Sequence, residues 1–359
     1  GLRLNLLSPH RTTYYRMTES GTTETRNLHL NQRGWVDGIL HSILQLFAIC
    51  KLLLLSIWRN SWCESKARLD GKTVIITGCN IGIGKETCKD LVKRGARVIM
   101  ACRDLTKAGE AAAEIRQTEA DEIVVKRLDL TSLTSVREFA AEVLREEPAI
   151  HLLINNAGVM MHPEARTADG FETHLGVNHL GHFLLTLLLL ARLRESAPAR
   201  IITVASSAHA GGSIDFDDIH LAKSYDPWRA YCQSKLANVL FSRELAKQLH
   251  GSGVTTYSLH PGVVNTHLGR YMTEGLNIIT QKFILLMSYI FMNTAAKGAQ
   301  TTIHCAVEET LENTSGKFYV DCRETEPELN ATHEDDSLRL WKVSLEMVNL
   351  DKLSGKRDT

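Results

Sequence analysis

The sequence has no excess of charge of either sign, because Lys and Arg together number 41 and Asp and Glu together also number 41. A nucleic-acid-binding surface needs a surplus of basic residues, so this balance argues against a nucleic-acid partner. The sequence also lacks any Cys-x-x-Cys pair, although eight cysteines are scattered along its 359 residues. That dispersion favours reduced thiols over a disulfide framework or a zinc site.

The N-terminal segment is polar, rich in Thr, Arg and Asn, and free of hydrophobic periodicity. Such a composition cannot bury enough apolar surface to fold, so we expect a disordered tail over residues 1–34. The chain opens with Gly1, and Met17 is a candidate for the natural start.

An apolar segment follows at residues 35–62, and its central stretch, residues 39–58, is long enough to span a bilayer. The flanking Trp35, Trp58 and Trp62 suit the membrane interfaces. No small-residue cleavage site is evident, so we predict a retained membrane anchor, with a helix lying in the interface as the alternative. Four basic residues at positions 59 to 72 follow the segment, which places the downstream domain in the cytosol.

A β-branched run at residues 73–77 predicts a buried parallel strand, and a glycine-rich loop connects it to helical sequence. Glycines let the backbone turn tightly and approach a pyrophosphate at the helix N-terminus. The strand–loop–helix context favours a nucleotide site over a structural turn. The predicted nucleotide contacts are Gly78, Asn80, Ile81, Gly82, Ile83 and Gly84.

The second predicted strand, residues 97–102, ends without the acidic residue that an NAD site would use to bind the ribose 2′-hydroxyl. Arg103 stands there instead, and a guanidinium can pair with a 2′-phosphate. We therefore predict NADP(H) as the cofactor. A solvated Arg103 is the alternative, and the neighbouring Asp104 weakens the preference.

Strand-like and helix-like segments alternate along the rest of the chain, which predicts an α/β fold with a doubly wound parallel sheet of the Rossmann type. We expect one catalytic domain over residues 69–322, followed by an acidic loop and a terminal helix over residues 323–359. The further predicted strands are residues 123–128, 150–154, 199–205, 254–259 and 316–321.

Tyr231 and Lys235 lie four residues apart in a predicted helix, so their side chains share one face. There the ammonium is expected to lower the phenol pKa from its usual value of about 10, giving a proton donor usable near neutral pH. A solvated helix face is the alternative. Three histidines, at positions 174, 179 and 182, show no acidic or Cys partner in the sequence pattern, and we expect no metal site.

These motifs, in this order, resemble those of the short-chain dehydrogenase/reductase family over residues 69–320. The motifs are Thr77 to Gly84, Asp129-Leu130, Asn155-Asn156-Ala157-Gly158 and Tyr231-x-x-x-Lys235. Within the family, residues 101–104, 178–186 and 231–238 resemble the membrane-anchored retinol dehydrogenases of the 11/12/13/14 type. Cys79 and Ile81 depart from the commoner Ala and Thr, while the glycines are intact.

The resemblance implies four catalytic residues, which are Asn178, Ser206, Tyr231 and Lys235. Asn178 would hold a water that relays protons to Lys235, and Ser206 would donate to the substrate oxygen at the end of a strand. The resemblance also implies cofactor contacts from Arg103, Asp129, Leu130, Asn156, Ala157, Gly158, Tyr231, Lys235, Pro261, Gly262, Val264 and Thr266.

The implied substrate is a small hydrophobic alcohol or carbonyl compound, with retinal and retinol as the leading pair. The apolar residues 276–292 occupy the family's substrate-lid region, and the Leu-rich helix over residues 171–194 is a candidate dimer-facing element. Lipid-derived aldehydes or steroids are alternative substrates, and an NADP(H)-binding membrane scaffold without turnover is the alternative of another class. We expect the endoplasmic reticulum as the membrane, with the mitochondrion as second choice.

Overall fold

The computed structural model describes residues 62–117, 122–264 and 293–350. Within them, eight strands form one sheet in the order β3-β2-β1-β4-β5-β6-β7-β8. The strands are β1 Thr73–Thr77, β2 Arg97–Cys102, β3 Ile123–Arg127, β4 Leu152–Asn155, β5 Ala199–Val204, β6 Val254–His260, β7 Lys317–Val320 and β8 Arg323–Thr325. All neighbouring pairs are parallel except β7 and β8, which are antiparallel. The prediction of a doubly wound, mostly parallel sheet is confirmed.

Helices cover both faces of this sheet and bury its apolar side chains. They are α1 Gly82–Lys93, α2 Leu105–Arg116, α3 Leu133–Glu146, α4 Gly181–Glu195, α5 Pro227–Gln248, α6 Ala295–Val307 and α7 Glu334–Met347. Helices α1, α2 and α6 share one apolar layer, whereas α3, α4 and α5 share the other. In β1, Val74 and Ile76 face the first layer and Ile75 faces the second, which explains the unbroken apolar run.

The strand order positions the ligand cleft. From β1 the chain proceeds outward to β2 and β3, and then returns to the other side of β1 to form β4. At such a reversal the connections after the two adjacent strands diverge, which opens a crevice at their carboxyl ends. The loops after β1 and β4, which carry the glycine-rich motif and Asn155-Asn156-Ala157-Gly158, therefore face each other.

Local signals explain where the catalytic-motif helix α5 begins. The Asp226 side chain accepts a hydrogen bond from the Arg229 backbone N–H at 2.7 Å, and Pro227 occupies the first turn. Both features are typical of helix starts, because the first N–H groups lack partners within the helix. The helix then runs for 22 residues across the sheet face, carrying Tyr231 and Lys235 to the cleft.

The apolar helix predicted over residues 171–194 has a different beginning from the one expected. Its first turn, Leu175–Leu180, is π-helical, and the regular α4 follows it. By length and composition the stretch Leu175–Glu195 could cross a membrane, but most of it is buried inside the domain. It is therefore a core helix of the described domain.

Three features of the second half differ from the sequence-based expectations. Helix α6 was not predicted, because its small and polar residues give a weak apolar pattern. The segment expected as an acidic loop contains β8, an exposed edge strand, and it also contains the start of α7 at Glu334. Acidic residues at positions 334–336 form the first turn of α7, where the helix dipole favours negative charge.

The predicted N-terminal tail, the predicted anchor at residues 39–58, the apolar segment at residues 276–292 and Thr266 lie outside the described residues.

Candidate active site

The glycine-rich loop after β1 is held against the loop after β4 by a network centred on Thr77. The Thr77 hydroxyl oxygen accepts hydrogen bonds from the backbone N–H groups of Asn156 and Ala157, each at 2.9 Å. The Asn156 side-chain amide donates to the carbonyl oxygens of Thr77 at 2.8 Å and Gly78 at 3.1 Å. The predicted cofactor residues of the two loops are thus joined in one rigid cradle.

Two glycines in this cradle leave no room for a side chain. Gly78 has a φ of +65°, and a Cβ there would lie 2.8 Å from the Cβ of Ala157. A Cβ on Gly84 would lie 2.5 Å from the Asn156 side-chain nitrogen and 2.6 Å from the Gly78 carbonyl oxygen. These glycines therefore let the glycine-rich loop and the start of α1 pack closely against the loop after β4, as in a dinucleotide-binding turn.

The N-terminus of α1 forms the floor of the cradle. Ile81 is the N-cap residue, and its apolar side chain makes no capping hydrogen bond. The first N–H groups of a helix need partners from outside it, and a phosphate group is a suitable one. The cradle residues therefore fit the dinucleotide that the sequence predicts.

Arg103 lies at the end of β2, where the cofactor's ribose is expected. Its side chain is exposed and makes no ion pair within the described residues. The neighbouring Asp104 caps α2, accepting from the Lys107 backbone N–H at 3.1 Å, and it also pairs with the Lys107 ammonium at 3.2 Å. Its carboxylate is therefore engaged at the start of α2.

Asp129 and Leu130 have structural roles at the end of β3. The Asp129 carboxylate accepts from the Thr131 backbone N–H at 3.0 Å and from the Thr131 hydroxyl at 2.7 Å. Leu130 is buried and packs so closely on Gly181 that a Cβ there would lie 3.0 Å from its side chain. Both residues border the cleft by position, and their predicted cofactor contacts remain predictions.

Asn178 lies in the π-helical turn before α4 and is fully buried. Its side-chain oxygen accepts from the Val159 backbone N–H at 2.8 Å. Its amide nitrogen donates to the Val159 carbonyl at 3.0 Å and to the Ser234 hydroxyl at 2.9 Å. The side chain thus links the loop after β4 to helix α5 between Tyr231 and Lys235.

Tyr231, Lys235 and Ser206 meet at the carboxyl edge of the sheet, as the resemblance implies. The Ser206 hydroxyl lies near enough to the Tyr231 phenol to lower its pKa. The Lys235 nitrogen lies 5.8 Å from the centre of the Tyr231 ring and donates to the Val204 carbonyl at 3.0 Å. A Cβ on Gly158 would lie 3.6 Å from that nitrogen, so the loop of the cradle reaches the same point.

The ionisation of this group differs from the sequence-based expectation. Burial raises the pKa of the Tyr231 phenol, and the nearby Ser206 hydroxyl opposes that effect only in part. Burial also lowers the pKa of the Lys235 ammonium to about 8. The prediction that Lys235 lowers the tyrosine pKa is wrong for this structure, because the ammonium directs its hydrogen bond to a backbone carbonyl. The phenol consequently holds its proton at neutral pH.

The loop after β6 brings Pro261, Gly262 and Val264 to the same edge. Gly262 has a φ of +85°, and Val264 pairs as an isolated bridge with Asn293. A Cβ on Gly298, in α6, would lie 2.5 Å from a Val264 methyl group, so this packing needs a glycine. The loop is thereby fixed beside α1, although its contacts with a cofactor stay predictions.

The three histidines form no metal site, since each bonds to a different partner. His174 pairs with Glu172 at 2.8 Å, His179 contacts the Ser344 hydroxyl at 2.8 Å, and the His182 ring contacts the Thr77 hydroxyl at 2.8 Å. Across the described part of the chain, no group of three or more His, Cys, Asp or Glu could hold a metal ion.

Sequence analysis missed two of these supports. Glu172 is an acidic partner of His174, although no such partner was expected, and their pair lies against Tyr231, with ring centres of His174 and Tyr231 6.3 Å apart. His182 connects the glycine-loop strand to the Asn178 carbonyl, 3.1 Å from its other ring nitrogen. Burial lowers the pKa of His182 to about 4, so it is neutral at physiological pH. In the sequence, the contact between His182 and Asn178 was indicated by their four-residue spacing, which places two residues on one face of a helix.

Comparisons with known proteins agree with this geometry. The profile of the family described as "short chain dehydrogenase" matches residues 72–277. Retinol dehydrogenase 12 of Homo sapiens is 49% identical over 314 residues, which cover 87% of this chain and 98% of that protein. Retinol dehydrogenase 11 of Mus musculus is 50% identical over 289 residues, covering 80% and 90% respectively.

Solved structures share the fold. A crystal structure of an uncharacterized protein from Mycobacterium paratuberculosis is similar, with a TM-score of 0.63 and 35% identity, covering 79% of this chain and 95% of that one. The Pseudomonas aeruginosa RhlG/NADP active-site complex has a TM-score of 0.56 and 24% identity over 70% of this chain and 94% of its own. At that identity the likeness concerns the fold alone.

The cradle predicts the effect of Gly78→Ala. The new Cβ would clash with Ala157 in a left-handed backbone conformation, at a cost of about 1–3 kcal/mol in stability or in loop distortion. We expect NADPH binding, measured by fluorescence titration, to weaken at least tenfold. Gly109→Ala in α2 is the control, since nothing lies within 4 Å of its Cβ position. Unchanged NADPH affinity in Gly78→Ala would remove the loop from the binding site.

Proposed function

The chain belongs to the short chain dehydrogenase family, and on that basis we propose that it is an NADP(H)-dependent enzyme interconverting a hydrophobic alcohol and its aldehyde or ketone. Its family and its similarity to retinol dehydrogenases identify the protein as an oxidoreductase that acts on CH–OH donors with a nicotinamide cofactor. The finer proposal rests chiefly on one observation: the Lys235 nitrogen lies 5.8 Å from the centre of the buried Tyr231 ring and 3.6 Å from the Cβ position of Gly158 in the cradle.

Each of the four polar residues has a role that its surroundings support. When bound, the reduced nicotinamide supplies the hydride. Tyr231 gives its proton to the substrate oxygen, and the Ser206 hydroxyl donates a hydrogen bond to the same oxygen and polarises it. Lys235, charged below about pH 8, lies beside the Tyr231 ring and binds the ribose. Asn178 holds the loop and helix that carry these groups, and it supports the proton relay.

We propose that the enzyme reduces its carbonyl substrate in the cytosol, because NADP(H) is kept mostly reduced there. Reduction uses the protonated phenol, which is the form that burial of Tyr231 stabilises.

An apolar substrate fits the side chains beside Tyr231. The Trp228 ring centre lies 5.9 Å from that of Tyr231, and the Trp228 side chain is 51% exposed. Val263, on the loop after β6, is 49% exposed. Exposed apolar groups at a site mark a surface that an apolar ligand can cover. Together with the relatives' names, this supports all-trans-retinal and retinol as the leading pair.

Replacing the phenol tests the proposed chemistry. Tyr231→Phe should abolish turnover of all-trans-retinal with NADPH, because the ring stays and the proton donor is lost. NADPH affinity should change less than threefold. Tyr257→Phe is the matched control, since its hydroxyl donates to the Leu311 carbonyl at 2.7 Å within the core. It should keep near-normal turnover.

Retained turnover in Tyr231→Phe would eliminate Tyr231 as the proton donor. The wild-type protein should also be assayed on a panel of retinoids, lipid-derived aldehydes and steroids under the same conditions. If one of the other classes gave a higher kcat/KM, that class would be assigned as the substrate in place of retinal. NADPH binding with no turnover of any of these carbonyls would favour a scaffold over an enzyme.

Arg103 supports the choice of NADP(H) over NAD(H), because its exposed guanidinium has no ion-pair partner among the described residues. Arg103→Ala should raise the KM for NADPH by about ten- to a hundredfold, the loss expected for one hydrogen bond to a charged group. The KM for NADH should change little. Arg145→Ala, an exposed arginine at the end of α3, is the control. An equal effect on both cofactors would contradict the assignment.

We further propose that residues 39–58 anchor the enzyme in the endoplasmic reticulum with the catalytic domain in the cytosol. The sequence has two glycosylation acceptors, Asn313-Thr314-Ser315 and Asn330-Ala331-Thr332. Asn330 is a poor reporter of topology, because its amide donates to the carbonyls of His209 and Gly212 at 2.8 Å each. Asn313 is exposed and therefore reports topology.

Asn313 should carry no glycan when the full chain is expressed in mammalian cells, as judged by an electrophoretic mobility insensitive to glycosidase. An acceptor sequence added ahead of residue 34 is the positive control and should be glycosylated if the anchor spans the membrane. A glycan on Asn313 would reverse the proposed orientation. If the protein co-purified with mitochondria, the mitochondrion would be assigned as its location in place of the endoplasmic reticulum.

A further inference from the structure

Two cysteines lie together inside the cofactor cradle. Cys79 is the second residue of the glycine-rich loop, and Cys102 is the last residue of β2. Their sulfur atoms are 3.9 Å apart, and the Cys79 thiol also donates to the Ile76 carbonyl at 3.2 Å. Both are free thiols, and none of the roles proposed above uses them.

The surroundings of the two sulfurs are different. The Cys79 thiol first, and then the backbone of the glycine-rich loop, lower the pKa of Cys102, whereas burial raises the pKa of Cys79 well above its usual value.

Two free thiols whose sulfurs lie 3.9 Å apart, one with a lowered pKa, are what a reactive thiol pair requires. A thiolate is the nucleophile toward peroxides, and a neighbouring thiol is needed to convert the oxidised sulfur into a disulfide. Cys102 supplies the first group and Cys79 the second. By contrast, burial raises the pKa of Cys88, on α1, to about 12, so that thiol is not activated.

We propose that Cys79 and Cys102 form an oxidant-sensitive site that closes to a disulfide on reaction with a hydroperoxide and thereby weakens cofactor binding. The Cys102 thiolate attacks the terminal peroxide oxygen, breaks the O–O bond and becomes a sulfenic acid. The Cys79 thiol then attacks that sulfur and displaces the hydroxyl group as water. Overall, two thiols are oxidised by two electrons, and hydrogen peroxide is reduced to two waters.

Disulfide formation must deform the cradle. A disulfide bond is about 2 Å long, so the two sulfurs have to approach by about 2 Å. The loop has little room to yield, because a Cβ on Gly84 would already lie 2.8 Å from the Cys79 Cα, and Gly78 is in close contact with Ala157. Cys79 itself belongs to the loop that is expected to bind the nucleotide. Oxidation would therefore disturb the binding surface itself.

The test uses the full-length protein, reduced and then exposed to hydrogen peroxide. Non-reducing peptide mass spectrometry should detect a Cys79–Cys102 link, and the Kd for NADPH should rise at least tenfold and recover with dithiothreitol. Saturating NADPH should slow the linkage, because the ligand covers the cradle. Cys79→Ala and, separately, Cys102→Ala should keep tight NADPH binding after peroxide treatment, whereas Cys88→Ala should respond as the wild type does.

Two results would overturn the inference: both thiols staying open to alkylation after peroxide treatment, or linkage with no change in Kd. The inference rests on the proposed nucleotide site, but the two fail in different ways. If the reduced protein does not bind NADPH, the proposed function fails. If it binds NADPH equally well before and after treatment, the redox inference alone fails.

Discussion

The buried carboxamide of Asn178 is the interaction on which the rest of the site depends. It joins the backbone of Val159, after β4, to the Ser234 hydroxyl on α5 with three hydrogen bonds of 2.8 to 3.0 Å. Leaving any of these buried groups unpaired would cost about 1–3 kcal/mol. Because Ser234 directly precedes Lys235, the position of the carboxamide sets how the helix that carries Tyr231 meets the cradle. The π-helical turn places Asn178 at this junction, as such turns often do at functional sites.

The cradle and the proton donor are parts of one connected structure. Thr77 bonds to the loop after β4, His182 contacts both Thr77 and the Asn178 carbonyl, and Asn178 bonds to α5. A change at the glycine-rich loop can therefore reach Tyr231 without any long-range motion. The same connection makes a thiol pair between this loop and the end of β2 a suitable place to control the cofactor site.

The sequence predicted the parts of this structure that depend on local pattern. The β1 strand, the glycine-rich loop and the α5 helix were placed closely, because apolar runs, glycine spacing and capping residues act over a few positions. The pairing of Glu172 with His174 and the contact of His182 with Thr77 were not foreseen. His182 and Thr77 are separated by 105 residues, and only the packing of π-turn and sheet brings them together.

The pKa of Tyr231 also could not be predicted from local sequence pattern. The four-residue spacing from Lys235 correctly placed the two side chains on one face, but it could not show that the ammonium bonds to the Val204 carbonyl. The spacing also could not show how deeply the phenol is buried, and this burial decides that its pKa is raised. A spacing rule predicts neighbours, whereas a pKa depends on everything that surrounds the group.

The most direct test of the central claim is isotope transfer from NADPH to an apolar aldehyde. The wild-type protein should be incubated with all-trans-retinal and NADPH that carries deuterium on the transferable face of nicotinamide C4, and the alcohol analysed by mass spectrometry. The account predicts retinol with one deuterium on the carbinol carbon. Retinol without deuterium, or no retinol from a protein that binds NADPH, would contradict it.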